Sequence, residues 1–219
     1  MTIPCMTPWS SIPPLEACWT FLKTVTSIHF MDIVENTSLE GFLKLLILRS
    51  SKITSSANTD YYEYYLDVLA YPVQTGEKSE VAILQRGPQG CGKGAFYKDF
   101  LANKVYGRGL SIEVAGGKQI GGTFNSLLSQ RCLIIIDEPG KFNFERRQAL
   151  KNSITTDDVE VKAKYEKERV ENDYSNFIFT CNDVPDDLMD HDDRRFFCVE
   201  HTGIHVGDKE YFKILFAKL

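Results

Sequence analysis

The sequence has no cysteine pair at Cys-x-x-Cys spacing and no apolar run long enough to span a bilayer. Its six cysteines are scattered, which favours buried free thiols over a disulfide framework or a zinc site. No basic region precedes an apolar core at the N-terminus, so we expect no signal peptide and an intracellular protein without membrane partners. A net charge of −5 argues against a uniformly basic nucleic-acid-binding surface but is compatible with one local basic loop.

The sequence does contain enough apolar residues to bury a sizeable core. Its 219 residues are 43% hydrophobic and 25% charged, which is typical of one globular domain plus an appendage. Apolar residues recur at helical spacing from Leu15 to Phe30 and from Leu39 to Leu48. We therefore predict a helical appendage of unknown role over residues 1–60 and a main domain over residues 61–219.

The clearest motif in the main domain is a P-loop. An apolar run from Val81 to Leu84 leads to Gly87, four further residues and then Gly92 and Lys93, after which a helical pattern begins. In such a loop, backbone NH groups and a helix N-terminus surround phosphate oxygens, and the lysine reaches the β- and γ-phosphates. The residues predicted to bind the nucleotide are Gly87, Pro88, Gln89, Gly90, Cys91, Gly92, Lys93, Gly94 and Ala95.

Gly94 is a departure from the usual motif, in which a serine or threonine after the lysine coordinates Mg²⁺. Two explanations remain open. Either water completes the metal shell, or the chain belongs to a branch that dispenses with the hydroxyl.

A second motif is the apolar run from Cys132 to Ile136, which ends in Asp137 and Glu138. Such a run is typical of a central parallel strand with carboxylates at its C-terminal end. Placed beside the P-loop in such a sheet, Asp137 would hold Mg²⁺ and Glu138 would polarise the attacking water.

Polar residues also flank two further apolar runs. The run from Asn176 to Cys181 predicts a buried strand that ends at Asn182, which can sense the γ-phosphate if this strand neighbours the acidic one, or can simply start a turn. Arg194 and Arg195 precede the next apolar run, where an arginine can cross a subunit interface and stabilise charge on the γ-phosphate. A surface ion pair with a neighbouring aspartate is the alternative.

The segment from Val159 to Tyr165 alternates apolar and charged residues, which predicts a strand with a hairpin tip at Lys167 and Glu168, or else a merely solvated face. Its basic residues could form the local DNA-binding loop; they are Lys162, Lys164, Lys167 and Arg169.

Other patterns predict an aromatic helix, a strand and two further helices. These cover Tyr61 to Tyr71, Leu110 to Val114, Thr123 to Leu128 and Asn143 to Ile154. We expect the aromatic helix to pack against the core rather than to stack on bases.

This order of motifs resembles the superfamily 3 helicases, and most closely the helicase part of viral, phage and plasmid primase-helicases. Details that resemble this branch are the Gly-Lys-Gly form ending at Gly94, the pair Phe124 and Asn125, and the run from Leu150 to Thr155. The resemblance covers about Tyr61 to Val199.

The resemblance implies an α/β P-loop NTPase with an AAA+-like core, in which helices flank a central, mainly parallel sheet. It implies ATP and Mg²⁺ as cofactors and single-stranded DNA as a partner. It also implies a homo-oligomer that is usually a hexameric ring, a primase domain or protein as a further partner, and host cytoplasm or nucleus if the source is viral. Because the chain ends soon after the paired arginines, a C-terminal extension is expected to be missing.

By position, the resemblance implies that Lys93 binds phosphate, Asp137 binds the metal, Glu138 activates water and Asn182 acts as the sensor. Arg194 or Arg195 would be the arginine offered to a neighbouring subunit, and Lys162 to Arg169 would face DNA in the channel of the ring.

Two alternatives remain from the same residues. The loop from Gly87 to Gly94 is also similar to that of adenylate kinases, although Asp137, Glu138 and Asn182 have no evident role in such an enzyme. The second alternative is a module that binds nucleotide without turnover.

Overall fold

The computed structural model describes residues 59–217, apart from residues 117, 119, 121–124, 127, 163, 166, 191 and 202. The predicted helices before residue 50 lie outside the described residues. Besides a π-helix at Ala95–Tyr106, the helices are α1 (Thr59–Thr75), α2 (Phe144–Thr155) and α3 (Lys209–Phe216). The strands are β1 (Ala82–Arg86), β2 (Ser111–Ala115), β3 (Leu133–Asp137), β4 (Asp158–Val161), β5 (Arg169–Asn172), β6 (Asn176–Cys181) and β7 (Phe196–Glu200).

Five of the strands form one parallel sheet in the order β2, β3, β6, β1, β7. The predicted α/β fold with a mainly parallel sheet is therefore confirmed. The strand that ends before Asn182 pairs with the acidic strand, as its predicted sensor role requires. Because β6 separates β1 from β3, the acidic strand is one position removed from the strand that leads into the glycine-rich loop.

Both faces of the sheet are covered, which explains why the strands read as continuous apolar runs. On one face, Ile83, Ile135 and Ile178 belong to a buried cluster with α1 and the π-helix. On the other face, Leu84, Ile136 and Phe179 and their neighbours pack with α2. All six residues of β6 are buried, so this strand lies at the centre of the core.

The aromatic helix packs on the core as expected. In α1, Tyr65 is buried and its ring stacks on Phe197 with centroids 5.9 Å apart. Tyr64 contacts the same ring edge-on at 5.2 Å and is partly exposed. The ring of Tyr65 therefore joins α1 to β7.

The predicted helix from Thr123 to Leu128 is wrong in the part that the structure describes, where residues 126 and 128–130 lie in turns and Asn125 is in no helix. The Asn125 side chain instead donates to the carbonyl of Glu160 at 2.8 Å and accepts from the backbone NH of Lys162 at 2.8 Å. These bonds to a distant segment replace the helical ones.

The predicted hairpin exists, but the strand ends earlier and the tip lies elsewhere. Pairing of β4 with β5 stops at Val161 opposite Arg169, because the NH of Lys162 is bonded to Asn125. The turn lies at Lys164 and Tyr165 rather than at Lys167 and Glu168. Tyr165 has a left-handed backbone, with φ of 71°.

Candidate functional site

The glycine-rich loop leaves the carboxyl end of β1, an internal strand that lies between β6 and β7. Gly90 and Gly92 have φ of 80° and 102°, which side chains rarely tolerate. A Cβ on Gly87 would lie 2.6 Å from Cβ of His201, so this glycine is needed for close packing. The NH of Gly87 donates to the carbonyl of Cys181 at 3.2 Å, which fixes the loop to the end of β6.

Gly94 differs from these glycines. Its φ of −61° suits any residue, and a Cβ there would meet nothing within 4 Å. The backbone and the space at this position would accept a serine or threonine. The glycine is therefore not required by packing, and the hydroxyl of the usual motif is absent for a reason other than fit.

Lys93 lies where the loop meets the end of β6. Its Nζ donates to the carbonyls of Gly87 and Pro88 at 2.5 and 3.2 Å and to Oδ1 of Asn182 at 3.4 Å. Asn182 directly follows β6 and is exposed. The structure thus brings together two predicted site residues that are 89 positions apart in the sequence.

The acidic pair lies at the carboxyl end of β3. Oδ1 of Asp137 accepts a hydrogen bond from the hydroxyl of Thr180 at 2.7 Å, which orients the carboxylate and leaves its other oxygen available. Glu138 has a left-handed backbone with φ of 47°, and its NH donates to the carbonyl of Thr180 at 2.8 Å. Non-glycine residues held in this conformation cluster at functional sites.

These groups share one open pocket of about 730 Å³ at the carboxyl edge of the sheet. Its polar lining includes Lys93, Glu113, Asp137, Glu138, Thr180 and Asn182. Lys98 also lines the pocket, and its Nζ is paired with Oε2 of Glu113 at 2.6 Å. Parallel sheets of this kind bind ligands outside the carboxyl ends of their strands. A cation on a glycine-rich loop facing two carboxylates can hold a polyphosphate and a divalent cation.

Sequence reasoning missed a buried polar chain beneath the loop. Nε2 of His201 bonds to Oε1 of Gln85, and Nε2 of Gln85 donates to the hydroxyl of Tyr65 at 3.5 Å. The hydroxyl of Tyr65 bonds in turn to that of Tyr97, which lines the pocket. Burial, together with the charge of Lys93, lowers the pKa of His201 to about 4. The available signal was Gln85, a polar residue that directly follows the apolar part of β1.

The two arginines lie elsewhere. They precede β7 and so lie at the amino edge of the sheet, away from the pocket. Arg195 pairs with Asp193 at 3.3 Å, while its carbonyl accepts from the NH of Ala82 at 2.7 Å. Arg194 is exposed. Within one chain, neither arginine is brought together with Lys93.

The four basic residues of the hairpin fall into two groups. Lys162 is paired with Glu160 and Glu168 at 3.1 and 3.5 Å, and Arg169 with Glu171 at 2.6 Å, so acids of the hairpin offset both charges.

Lys164 and Lys167 are exposed, and Nζ of Lys164 lies 4.8 Å from the ring centroid of Tyr165. Tyr165 itself is 92% exposed at the tip. The sequence analysis did not single out this aromatic, although its position between two lysines was a signal.

Comparison with known proteins shows similarity to a phage replication protein. The profile of a family described as "Family of unknown function (DUF5906)" matches residues 85–195, which include the glycine-rich loop, both acids, Asn182 and both arginines. A DNA primase-polymerase from Nitratiruptor phage NrS-1 is 28% identical over 145 residues, which make up 64% of this chain and 20% of that protein. The chain thus spans about a fifth of the length of this curated relative.

Solved structures of the NrS-1 C-terminal region share the fold. One apo structure is 25% identical with a TM-score of 0.63, and covers 80% of this chain and 43% of that one. An apo structure of the A form is 24% identical with the same TM-score and covers 80% and 42%. Separately, none of the helices that the structure describes is both long and apolar enough to cross a membrane.

Proposed function

The chain belongs to the DUF5906 family, and from that premise we propose that it is the ATPase motor domain of a phage-type replication protein. In this proposal it is a superfamily 3 helicase-like P-loop NTPase with an AAA+-like core that couples ATP hydrolysis to translocation on single-stranded DNA. The observation that carries the proposal is the convergence of Lys93, Asp137, Glu138 and Asn182 on one pocket.

Each of these groups has a distinct task in ATP hydrolysis. Lys93 and the NH groups of the loop neutralise and orient the phosphates. Glu138 accepts the proton of the attacking water, and it lines the same pocket as Asp137. Asn182 contacts Lys93 from the strand between the loop and the acids, which suits a residue that reports whether the γ-phosphate is bound.

Asp137 fits a magnesium ion. Mg²⁺ prefers oxygen ligands and is usually held by one or two carboxylates, water and substrate phosphates. The hydrogen bond from Thr180 orients Asp137 as a ligand, and because Gly94 supplies no hydroxyl we assign the corresponding position to water. When bound, Mg²⁺ would neutralise charge on the β- and γ-phosphates.

For DNA we propose the tip of the β4–β5 hairpin as the contact. Neither Lys164 nor Lys167 forms an ion pair with another residue that the structure describes. Tyr165 offers an exposed ring for stacking on a base. An aromatic ring between lysines can hold single-stranded DNA without reading its sequence. Of the four predicted DNA-binding residues Lys162, Lys164, Lys167 and Arg169, the proposal thus keeps two, Lys164 in the turn and Lys167 between the turn and β5.

The position of the arginines favours a ring. Because Arg194 and Arg195 lie at the edge of the sheet opposite the pocket, they could serve catalysis only in the pocket of a neighbouring copy. A head-to-tail ring, with six subunits as the expected number, would supply that neighbour. A primase domain or protein would act alongside it, in the host cell.

The test is phosphate release by the purified chain with ATP alone, ATP with single-stranded DNA, and ATP with AMP. We expect DNA-stimulated release that Lys93→Ala abolishes and that Glu138→Gln lowers by about a hundredfold or more. Formation of ADP from ATP and AMP without DNA dependence would instead identify a nucleoside monophosphate kinase. Nucleotide binding without release in any mixture would identify a binding module.

A further inference from the structure

Two aromatic side chains line the pocket on the side contributed by α3. Phe212 is partly buried against the core, and Phe216 is 51% exposed. Phe216 thus presents an exposed ring to the same pocket that the glycine-rich loop and the two carboxylates line, and a flat ligand stacked on it would remove that apolar surface from water. Neither side chain has a part in the phosphate chemistry assigned above.

The segment before α3 fixes this helix against the glycine-rich loop. The NH of His201 donates to the carbonyl of Arg86 at 2.8 Å. A Cβ on Gly203 would lie 2.5 Å from Cγ of Pro88, so the two loops are in direct contact.

The first turn of α3 is fixed as well. Oδ1 of Asp208 accepts from the NH of Tyr211 at 2.9 Å, and the ring of His205 stacks on that of Tyr211 with centroids 3.8 Å apart. Phe216 therefore occupies a set position relative to the phosphate-binding loop, as a base-binding residue must.

We infer that Phe216, backed by Phe212, stacks on the base of the bound nucleotide. This inference rests on the proposed function of the pocket. Their rings lie 6.4 Å apart, so Phe212 supports the ring that remains exposed. Stacking uses the face of the base and not its hydrogen-bonding edge, so the site accepts adenine and guanine alike and favours both over the smaller pyrimidines.

The experiment compares ADP with inorganic pyrophosphate, which has the phosphates but no base. We expect Phe216→Ala to weaken ADP binding by about tenfold or more, as for other aromatic–base stacks, and to leave pyrophosphate binding unchanged. Phe216→Trp should retain ADP affinity because it keeps a flat ring. Ile214→Ala is the matched control, since Ile214 is 60% exposed on the same helix and does not line the pocket.

The outcomes separate this inference from the proposed function. Equal weakening of both ligands by Phe216→Ala, or no weakening of either, would overturn base stacking while leaving a phosphate site intact. A strong preference between ADP and GDP would overturn recognition by stacking alone. If the unmodified chain binds neither ADP nor pyrophosphate, the nucleotide pocket itself is refuted.

Discussion

The two edges of the parallel sheet carry similar polar residues, which are exposed at the carboxyl edge and largely buried at the amino edge. At the carboxyl edge, Asp137 and Asn182 are exposed and face the pocket. At the amino edge, Asp173 and Asn176 are turned inward and bonded. Nζ of Lys78 bonds to Oδ2 of Asp173 at 2.8 Å and to the carbonyls of Ser153 and Thr156, and the Lys78 and Asp173 side chains are only 4% and 9% exposed.

The difference separates polar groups whose hydrogen bonds are used within the protein from polar groups that remain open to a ligand. The side chain of Asn176 accepts from the NH of Ser79 at 2.9 Å and donates to the carbonyl of Cys132 at 3.2 Å. Its hydrogen-bonding capacity is therefore used within the protein, and it stabilises the start of β6. The exposed polar atoms of Asp137 and Asn182 at the carboxyl edge keep hydrogen-bonding capacity for a ligand.

Arg195 would be an exception, namely an amino-edge residue that acts in catalysis. Its replacement should give the largest effect. It lies at the amino edge, yet its side chain is 33% exposed. If it completes a neighbour's pocket, Arg195→Ala should lower ATP turnover by about a thousandfold or more without changing nucleotide affinity.

A mixing experiment makes the prediction specific. Neither Arg195→Ala nor Lys93→Ala should turn over ATP alone, whereas a mixture should regain activity at interfaces that combine an intact lysine with an intact arginine. Wild-type turnover in Arg195→Ala and also in Arg194→Ala would show that neither arginine acts in catalysis.

The buried ion pair between Lys78 and Asp173 should contribute more to the free energy of unfolding than an exposed pair at the carboxyl edge. Lys78→Ala would leave Asp173 charged and unpaired among buried groups, so we expect the free energy of unfolding to fall by about 3 kcal/mol. The matched control is Lys98→Ala at the carboxyl edge, whose pair with Glu113 is 53% and 34% exposed on its two sides. Exposed pairs contribute at most about 1 kcal/mol. Urea unfolding of both variants measures the contrast, and equal losses would contradict it.

His201 differs from the exposed polar residues of the carboxyl edge because it is buried. Its contribution to the stability of the fold should depend on pH. Burial first, and then the charge of Lys93, lowers its pKa from 6.5 to about 4 in the folded chain. The unfolded chain therefore takes up the proton first as pH falls, and the stabilisation present above 6.5 is lost on the way down to about 4.

We expect the free energy of unfolding to drop by about 2 kcal/mol between pH 7 and pH 5 on account of this residue. Urea titrations at several pH values measure the slope. His201→Gln should remove this part of the slope, and an identical slope in the variant would contradict the assignment.

The smallest effect is expected at the hairpin that leads into the amino edge. Replacing Lys164 and Lys167 with alanine should weaken binding of single-stranded DNA and make its dependence on log salt shallower by about 1.4, at roughly 0.7 for each lost phosphate contact. Lys162→Ala should change the slope less, because Glu160 and Glu168 already pair with Lys162. An equal change in slope for both variants would show that Lys164 and Lys167 bind DNA no more strongly than the paired Lys162.

Much of the sheet and of the candidate site could be predicted because both depend on local patterns. Apolar runs that are buried on both faces mark β3 and β6, and the carboxyl ends of parallel strands necessarily meet at one edge. Asp137 and Asn182 were therefore placed correctly at that edge. Their chemical roles remain predictions.

The remaining features depend on partners far away in the sequence. The hairpin tip is displaced because Lys162 bonds to Asn125, which is 37 residues away. The pairing of Lys78 with Asp173 spans 95 residues, and no periodic pattern in the sequence predicts it. Phe216 joins the pocket only because the chain returns to the glycine-rich loop after β7.

In mechanical terms, β6 connects the β4–β5 hairpin at one end to the pocket at the other. Only residues 173–175 separate it from β5 of the hairpin, and Asn182 follows directly at its other end. Its ladders to β1 and β3, together with its fully buried side chains, resist sliding or bending. A force applied at the hairpin would therefore pass into a fully buried strand that is paired on both sides, and the same strand ends at the pocket.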